Sequence, residues 1–289
     1  MAGKKKSTAK SSRKPAAPQA YAGVWENPLI PHARLQELYT ALLRCRMIES
    51  SLARATQRAP EAVAAGLLLN LRATDTVSSA APSHRALKGA PLKHLLAATG
   101  TADAGYPAHG ILPAIADSAA ATNAALGAAF IHKQRAPHPD GSPVSDSDLV
   151  LHFTTDADEC IAAARIADQH RLPILFVYKQ KSSESKLSVA ARHLGIPGIP
   201  LDCDDAIAAY RVAQEAVARA RAGGGPTLIE CMRYSVPQRR RPNAIAALER
   251  NLADKGLVTP RWKLTLLAAQ RRELAQARLA AAKLRKASR

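Results

Sequence analysis

From Pro31 the chain places Leu35, Leu38, Leu42, Cys45 and Ile48 three or four residues apart, which sets them on one face of a helix. Residues 60–71, PEAVAAGLLLNL, are apolar almost throughout and predict a buried helix. Residues 78–110 are richer in Ser, Pro, Gly and His, and predict loops and short helices. Residues 119–134, AAATNAALGAAFIHKQ, predict a helix of small residues able to pack closely, followed by the turn-rich RAPHPDGSPVSDSD. The period then changes. Residues 148–153 form a short, nearly continuous apolar run, 158–170 a helical pattern, and 173–178 a second apolar run. Such runs belong to parallel strands covered on both faces, and the connection is long enough for a crossover. IPGIPLDC, 196–203, predicts another strand. Residues 204–226 predict a helix with Asp at its start and glycines past its end. PTLIECMRY predicts a last strand, and 242–287 return to helix. Strand and helix alternate, so the fold class is α/β with an open, mostly parallel sheet and helices on both faces. No repeat of fixed period is present.

Composition refines this picture. A chain of 289 residues with 47% hydrophobic residues can bury a large core, and only 4% aromatic residues beside abundant alanine favours closely packed helices over a β-sandwich. The net charge is +18, concentrated at the ends. Lys4, Lys5, Lys6, Lys10, Arg13 and Lys14 stand in residues 1–14 with no acid, and residues 261–289 hold nine Lys or Arg against one acid, Glu273. Basic ends attract nucleic acid, acidic proteins or anionic membranes, or serve as solvated, solubilising tails. The expected organisation is a disordered basic tail, 1–20, a main domain, 21–260, and a basic C-terminal helix, 261–289. Cys45, Cys160, Cys203 and Cys231 are scattered without a CxxC, which predicts buried reduced thiols and no zinc or redox motif. No apolar run is long enough for a membrane span, and no apolar segment follows the basic N-terminus, so the expected location is cytoplasmic.

Candidate chemistry centres on FTTDADE, 153–159, at the end of the first long strand, where α/β proteins place ligands, although the glycines that usually line such a site are missing. Asp156 is either a metal ligand or a helix cap, and Asp158 and Glu159 can also cap. Asp202, Asp204 and Asp205 stand at the start of a helix, where capping and the helix dipole account for them as well as a metal does. Gly223, Gly224 and Gly225 follow a helix and predict a helix stop, not a phosphate loop. Arg239, Arg240 and Arg241 are either a phosphate or acidic-partner site or a solvated loop. His152, in mid-strand, is expected to be a satisfied core or edge histidine. No Ser-His-Asp or Cys-His arrangement follows from spacing.

Five segments, in order, resemble the α subunit (E1 α component) of thiamine-diphosphate-dependent 2-oxoacid dehydrogenases. LGIPGIPLDCDDAIAAYRVAQEAVARARAGGGPTLIECMRY, 194–234, is similar to the family's Gly-Ile-Pro-Gly stretch, helix, Gly-Pro turn and Leu-Ile-Glu strand. LQELYTALLRCRMIES resembles its opening helix, with Tyr39, Arg46 and Glu49 in place. APEAVAAGLLLNLRATDTV, AALGAAFIHKQR and RPNAIAALERNLADKGL resemble three further segments, so the cover is roughly 31–275. The resemblance implies the thiamine-diphosphate-binding fold. It implies thiamine diphosphate and Mg²⁺ held by Gly-Asp-Gly after one strand and Asn-Asn after the next, in a site shared with a β subunit that supplies the catalytic glutamate.

Carried onto this chain, the first motif becomes Thr155-Asp156-Ala157 and the second Gln180-Lys181, with Asp156 and Gln180 as the metal ligands. His109, Gly110 and Ile111 match the family's His-Gly-Ile, with Pro113 replacing the Gly that follows. The family's Tyr-Arg falls in a gapped region near His84 and Arg85. Both glycines of the first motif are gone, Gln180 is a methylene longer than Asn, and Lys181 either substitutes for the cation or lies in a collapsed loop. Three expectations follow. The chain is an α-like E1 subunit with weak or lost cofactor binding and a non-catalytic or regulatory role, working with an E1 β-type subunit or as a homodimer. Or it is an active subunit that decarboxylates a 2-oxoacid and passes the acyl group to lipoamide. Or it binds nucleic acid through its basic ends.

Overall fold

The computed structural model describes residues 30–51, 60–97, 110–135, 147–180, 186–233 and 243–287. Five strands form one parallel sheet in the order β1-β2-β3-β5-β4, with β1 at Thr76–Ser78, β2 at Val150–Thr154, β3 at Ile174–Lys179, β4 at Gly198–Asp202 and β5 at Thr227–Met232. The predicted α/β class and parallel sheet are what the chain adopts.

Alternation along the central strands assigns two cores. Leu149, Leu151, Leu175, Val177 and Ile229 face α2 (Glu61–Leu68) and α8 (Ala206–Arg221). Val150, Ile174, Phe176 and Leu228 face α5 (Ser118–Arg135), α6 (Ala157–Gln169) and α7 (Leu187–His193). The helices meet the sheet largely through alanines (Ala125, Ala129, Ala164 and Ala167 on one side, Ala209, Ala213 and Ala220 on the other), which brings their axes close. Beyond α2 and α8 lies another helical layer made by α1 (His32–Ser51) and α9 (Ala244–Asp254), packed through Leu38, Tyr39, Leu42, Leu248 and Leu252. The short α3 (Pro82–Leu87) and α4 (Leu92–Ala97) and the long α10 (Pro260–Ala287) complete it around Ile48 and Ala277.

Local chemistry explains where elements begin. Asp156, Asp205 and Asn243 each accept a bond from the backbone N–H three residues on and cap α6, α8 and α9. The N-terminus of α7 has no cap from its own sequence. There the fully buried Glu230 of β5 reaches across and accepts from Leu187 N, Ser188 N and Ser188 Oγ at 3.1, 2.9 and 2.7 Å. Gly198 opens β4 against the same turn, and a Cβ there would lie 2.0 Å from Ser188 O, so the glycine of the Gly-Ile-Pro-Gly stretch is a steric requirement.

Two elements were not anticipated. β1 is only three residues long and falls between the helix expected at 60–71 and the loop-rich stretch 78–110, and α7 has no clear apolar period. The remaining predicted elements stand within a few residues of their expected ends. Residues 1–20 and Arg239–Arg241 lie outside the described residues.

Candidate functional site

The chain parts to opposite faces of the sheet at two places. β2 leads to α6 on one face while β1 leads to α3 on the other, and β3 leads to α7 while α9, after β5, lies on the α8 side. Such switch points leave crevices at the carboxyl ends of the strands, where open α/β sheets place ligands.

Asp156 and Gln180 both come to this end. β2 and β3 pair in parallel up to Thr154 opposite Tyr178, and Asp156 and Gln180 each stand two residues beyond that last pair. Both residues named from the sequence thus lie at the carboxyl ends of neighbouring strands. Their local bonds are structural. Asp156 Oδ1 accepts from Glu159 N at 3.0 Å, and Asp156 N donates to Thr154 Oγ1 at 3.2 Å. Gln180 N donates to Cys231 O at 3.1 Å, which prolongs the pairing of β3 with β5. Ala157 is the first residue of α6, followed by Asp158 and Glu159 in its first turn. Among the described residues, the buried Glu159 Oε2 has no hydrogen-bond partner.

Gly110 and Ile111 lie elsewhere. Gly110 O accepts from Val77 N, Leu112 N donates to Val77 O, and Ile111 bridges Val77, so this stretch runs along the free edge of β1. Val77 pairs with Leu151. Ile111 is thus two strands away from β2 and level with its middle, roughly 10 Å across the sheet and about 16 Å short of Asp156. Gly110 has φ +74, and a Cβ there would lie 2.5 Å from Asp75 O, which accounts for the glycine without a ligand. His109 and Lys181 lie outside the described residues.

The crevice between β1 and β2 contains His84. Its ring packs on Phe153 at 4.0 Å between centroids, and its Nδ1 shares a hydrogen bond with Ser79 Oγ at 2.8 Å. Nε2 is buried and, among the described residues, without a hydrogen-bond partner. Burial, with a smaller contribution from the Lys179 charge, pushes its pKa down to about 3, so the ring is neutral at ordinary pH. Lys179, at the end of β3, is the charged neighbour that sequence reasoning passed over; a lysine closing an otherwise apolar strand was the available signal.

His152, by contrast, is satisfied on both nitrogens, by Ser78 Oγ at 2.9 Å and Thr122 Oγ1 at 3.0 Å, as expected of a core histidine. The three residues that carried the resemblance in the opening helix are joints between helices. Tyr39 donates to Glu249 Oε2 at 2.9 Å, Arg46 forms a two-pronged pair with Glu61, and the buried Glu49 accepts from Ser83 Oγ. Asp202, Cys203 and Asp204 lie close enough to share a cation, but Arg233 already pairs with Asp204 at 3.5 Å. No helix among the described residues is long and apolar enough to cross a membrane.

Comparison with known proteins agrees with this architecture. The model of the dehydrogenase E1 component family matches residues 162–242, a span that includes Gln180 and begins just after Asp156. The pyruvate dehydrogenase E1 component subunit alpha of Porphyra purpurea is 30% identical over 201 residues, 60% of this chain and 58% of the relative. The chloroplastic pyruvate dehydrogenase E1 component subunit alpha-3 of Oryza sativa is 30% identical over 206 residues, 60% of this chain and 48% of the relative. The 3-methyl-2-oxobutanoate dehydrogenase subunit alpha of Mycobacterium tuberculosis is 60% identical over 40 residues, 14% of this chain and 11% of the relative. The chain thus spans less than two thirds of the length of each of these relatives. Over residues 162–242 the chain is similar to the dehydrogenase E1 component, and over a longer stretch to the α subunits of pyruvate dehydrogenase E1.

Proposed function

We propose that this chain is a non-catalytic E1 α-like subunit. It keeps the fold that joins such subunits to an E1 β-type partner, and its strand ends no longer hold a magnesium diphosphate. The observation that carries this reading is the state of the α6 N-terminus. A diphosphate binds there through open N–H groups and the positive end of the helix dipole. In this chain Glu159 N is already taken by Asp156 Oδ1. Ala157 adds a Cβ where close backbone approach calls for glycine, and Asp158 and Glu159 add two carboxylates in the first turn. Among the described residues the buried Glu159 Oε2 has no hydrogen-bond donor to meet it. Beside β2 the neutral His84 ring packs on Phe153. Asp156 and Gln180 are oxygen donors of the kind Mg²⁺ takes, yet the diphosphate that Mg²⁺ would bridge does not fit these neighbours.

The test is purification of the tagged chain from its own host after nuclease treatment, followed by calorimetric titration of the recovered assembly with thiamine diphosphate and Mg²⁺. The expected result is a β-type subunit in the assembly and no saturable heat. Saturable binding that Asp156→Asn abolishes would overturn the reading in favour of an active 2-oxoacid dehydrogenase subunit, because Asn keeps the cap and removes the carboxylate. Loss of every partner on nuclease treatment would instead favour nucleic-acid binding through the basic ends.

A further inference from the structure

α10 carries a face that the fold does not use. Its inward side is well fixed: Leu274, Ala277 and Ala281 are buried, Gln270 Nε2 donates to Thr40 O at 3.0 Å, Glu273 pairs with Arg44 at 2.7 Å, and Arg285 Nη1 donates to Leu96 O at 3.1 Å. At 100° per residue, Leu264, Ala268, Arg271, Ala275, Arg278 and Leu279 share one side of the helix. Leu264 and Leu279 are the most exposed large hydrophobic side chains among the described residues, at 69% and 68%. They stand about 22 Å apart along the axis. Between them, where α10 meets α1, is a groove of about 450 Å³ with Leu43, Met47 and Leu267 on its apolar walls and Arg46, Arg271 and Arg278 on its rim.

The charges on that rim decide what suits it. Arg46 is neutralised by Glu61. Among the described residues Arg271 and Arg278 meet no carboxylate. A leucine–arginine stripe alongside an apolar groove matches an amphipathic helix whose leucines fill the groove and whose acids meet the two arginines. Residues 52–59, which follow α1 in sequence, hold Arg54 and Arg58 and no acid, so they do not match that helix. A second copy is equally ill suited, because a two-fold contact on this face sets arginines against arginines on a molecule of net charge +18. Phosphates would meet the arginines and leave the leucines in water. We infer that the α1–α10 groove, with the exposed stripe of α10, docks an acidic amphipathic helix of a partner protein.

The test uses the full chain and a fluorescent helical peptide of about 18 residues, long enough to span the two leucines, with leucines at helical spacing and flanking glutamates. The readout is fluorescence anisotropy. Saturable binding is expected that weakens with salt, fails when lysines replace the glutamates or serines replace the leucines, and falls at least about tenfold in the double variant R271E/R278E. Both arginines are exposed, so circular dichroism of the variant should match that of the parent. Equal binding of the glutamate and lysine peptides, no loss in the variant, or complete displacement by a single-stranded oligonucleotide would overturn the inference. So would sedimentation showing a dimer that R271E/R278E dissociates.

Discussion

Arg221 at the end of α8 and Asp75 before β1 form a two-pronged ion pair inside the fold, Nη2 to Oδ2 at 2.6 Å and Nη1 to Oδ1 at 3.1 Å. Asp75 also accepts from Arg72 N at 2.6 Å and Leu149 N at 3.0 Å, and Arg221 donates to Ser147 O at 3.1 Å. One pair therefore ties the starts of β1 and β2 to the last turn of α8, at the end of the sheet away from the candidate site. Removing one partner of a buried pair leaves the other charged and desolvated, at a cost of about 3–5 kcal/mol. Arg221→Met is expected to lower the unfolding free energy by that order in urea titrations. The double variant with Asp75→Leu should recover only part of the loss, because Arg72 N and Leu149 N are then orphaned.

Two helical glycines should respond in opposite directions. A Cβ on Gly66 would lie 2.6 Å from Ala209 Cβ and 2.7 Å from Tyr210 N, so α2 and α8 are in contact at this point. Gly66→Ala should cost about 1–3 kcal/mol through overpacking. Gly127, within α5, has nothing within 4 Å of the same position. Gly127→Ala should stabilise by about 0.5–1 kcal/mol, the ordinary gain of Ala over Gly in a helix. Thermal melts of the two variants with opposite shifts would support this account, and a stabilised Gly66→Ala would refute it.

What was legible in the sequence follows from which physics is local. Continuous apolar runs and helical periods gave β2, β3, β5 and most helices, and Asp156 and Asp205 stand at the starts of their helices as caps do. β1 escaped because three residues cannot show a period. α7 escaped because its N-terminal partner, Glu230, lies 43 residues further along the chain. At the candidate site the sequence named Asp156 and Gln180, which stand just beyond the carboxyl ends of the neighbouring strands β2 and β3. It also named Gly110 and Ile111, which run along the free edge of β1, two strands from β2. That separation depends on sheet order, to which spacing along the chain is blind.

The buried histidines give stability a pH dependence of definite sign. Burial pushes the pKa of His152 down to about 4 and that of His84 to about 3, against roughly 6.5 in an unfolded chain. Between those limits the unfolded state binds more protons, so stability is full above about pH 7 and falls as pH drops through 6.5 and below. Melting temperatures should decline from pH 7 to pH 5, before most carboxylates titrate. His152→Gln keeps a donor and an acceptor for Ser78 and Thr122 and should flatten part of that decline; an unchanged slope would mean that His152 does not carry it.

The four cysteines offer a test of packing that does not depend on activity. All are free and buried, and burial is the leading cause raising each thiol. Cys160 is pushed up to about 12, with Asp156 and Glu230 adding to the effect, and Cys45 and Cys231 go higher still. Thiolate, not thiol, attacks a disulfide reagent, so these three should react only as fast as the protein opens. Cys203 differs, because the neighbouring Arg233 pulls its pKa back toward the thiolate. Under native conditions Ellman's reagent is expected to titrate Cys203 first and the others together, at the rate of unfolding. Arg233→Ala should slow the first phase and leave the second unchanged. Early labelling of Cys160 or Cys231, mapped by peptide mass, would show that the strand ends around β2 and β5 open on their own, and that the packing described at the carboxyl end of the sheet is not the resting state.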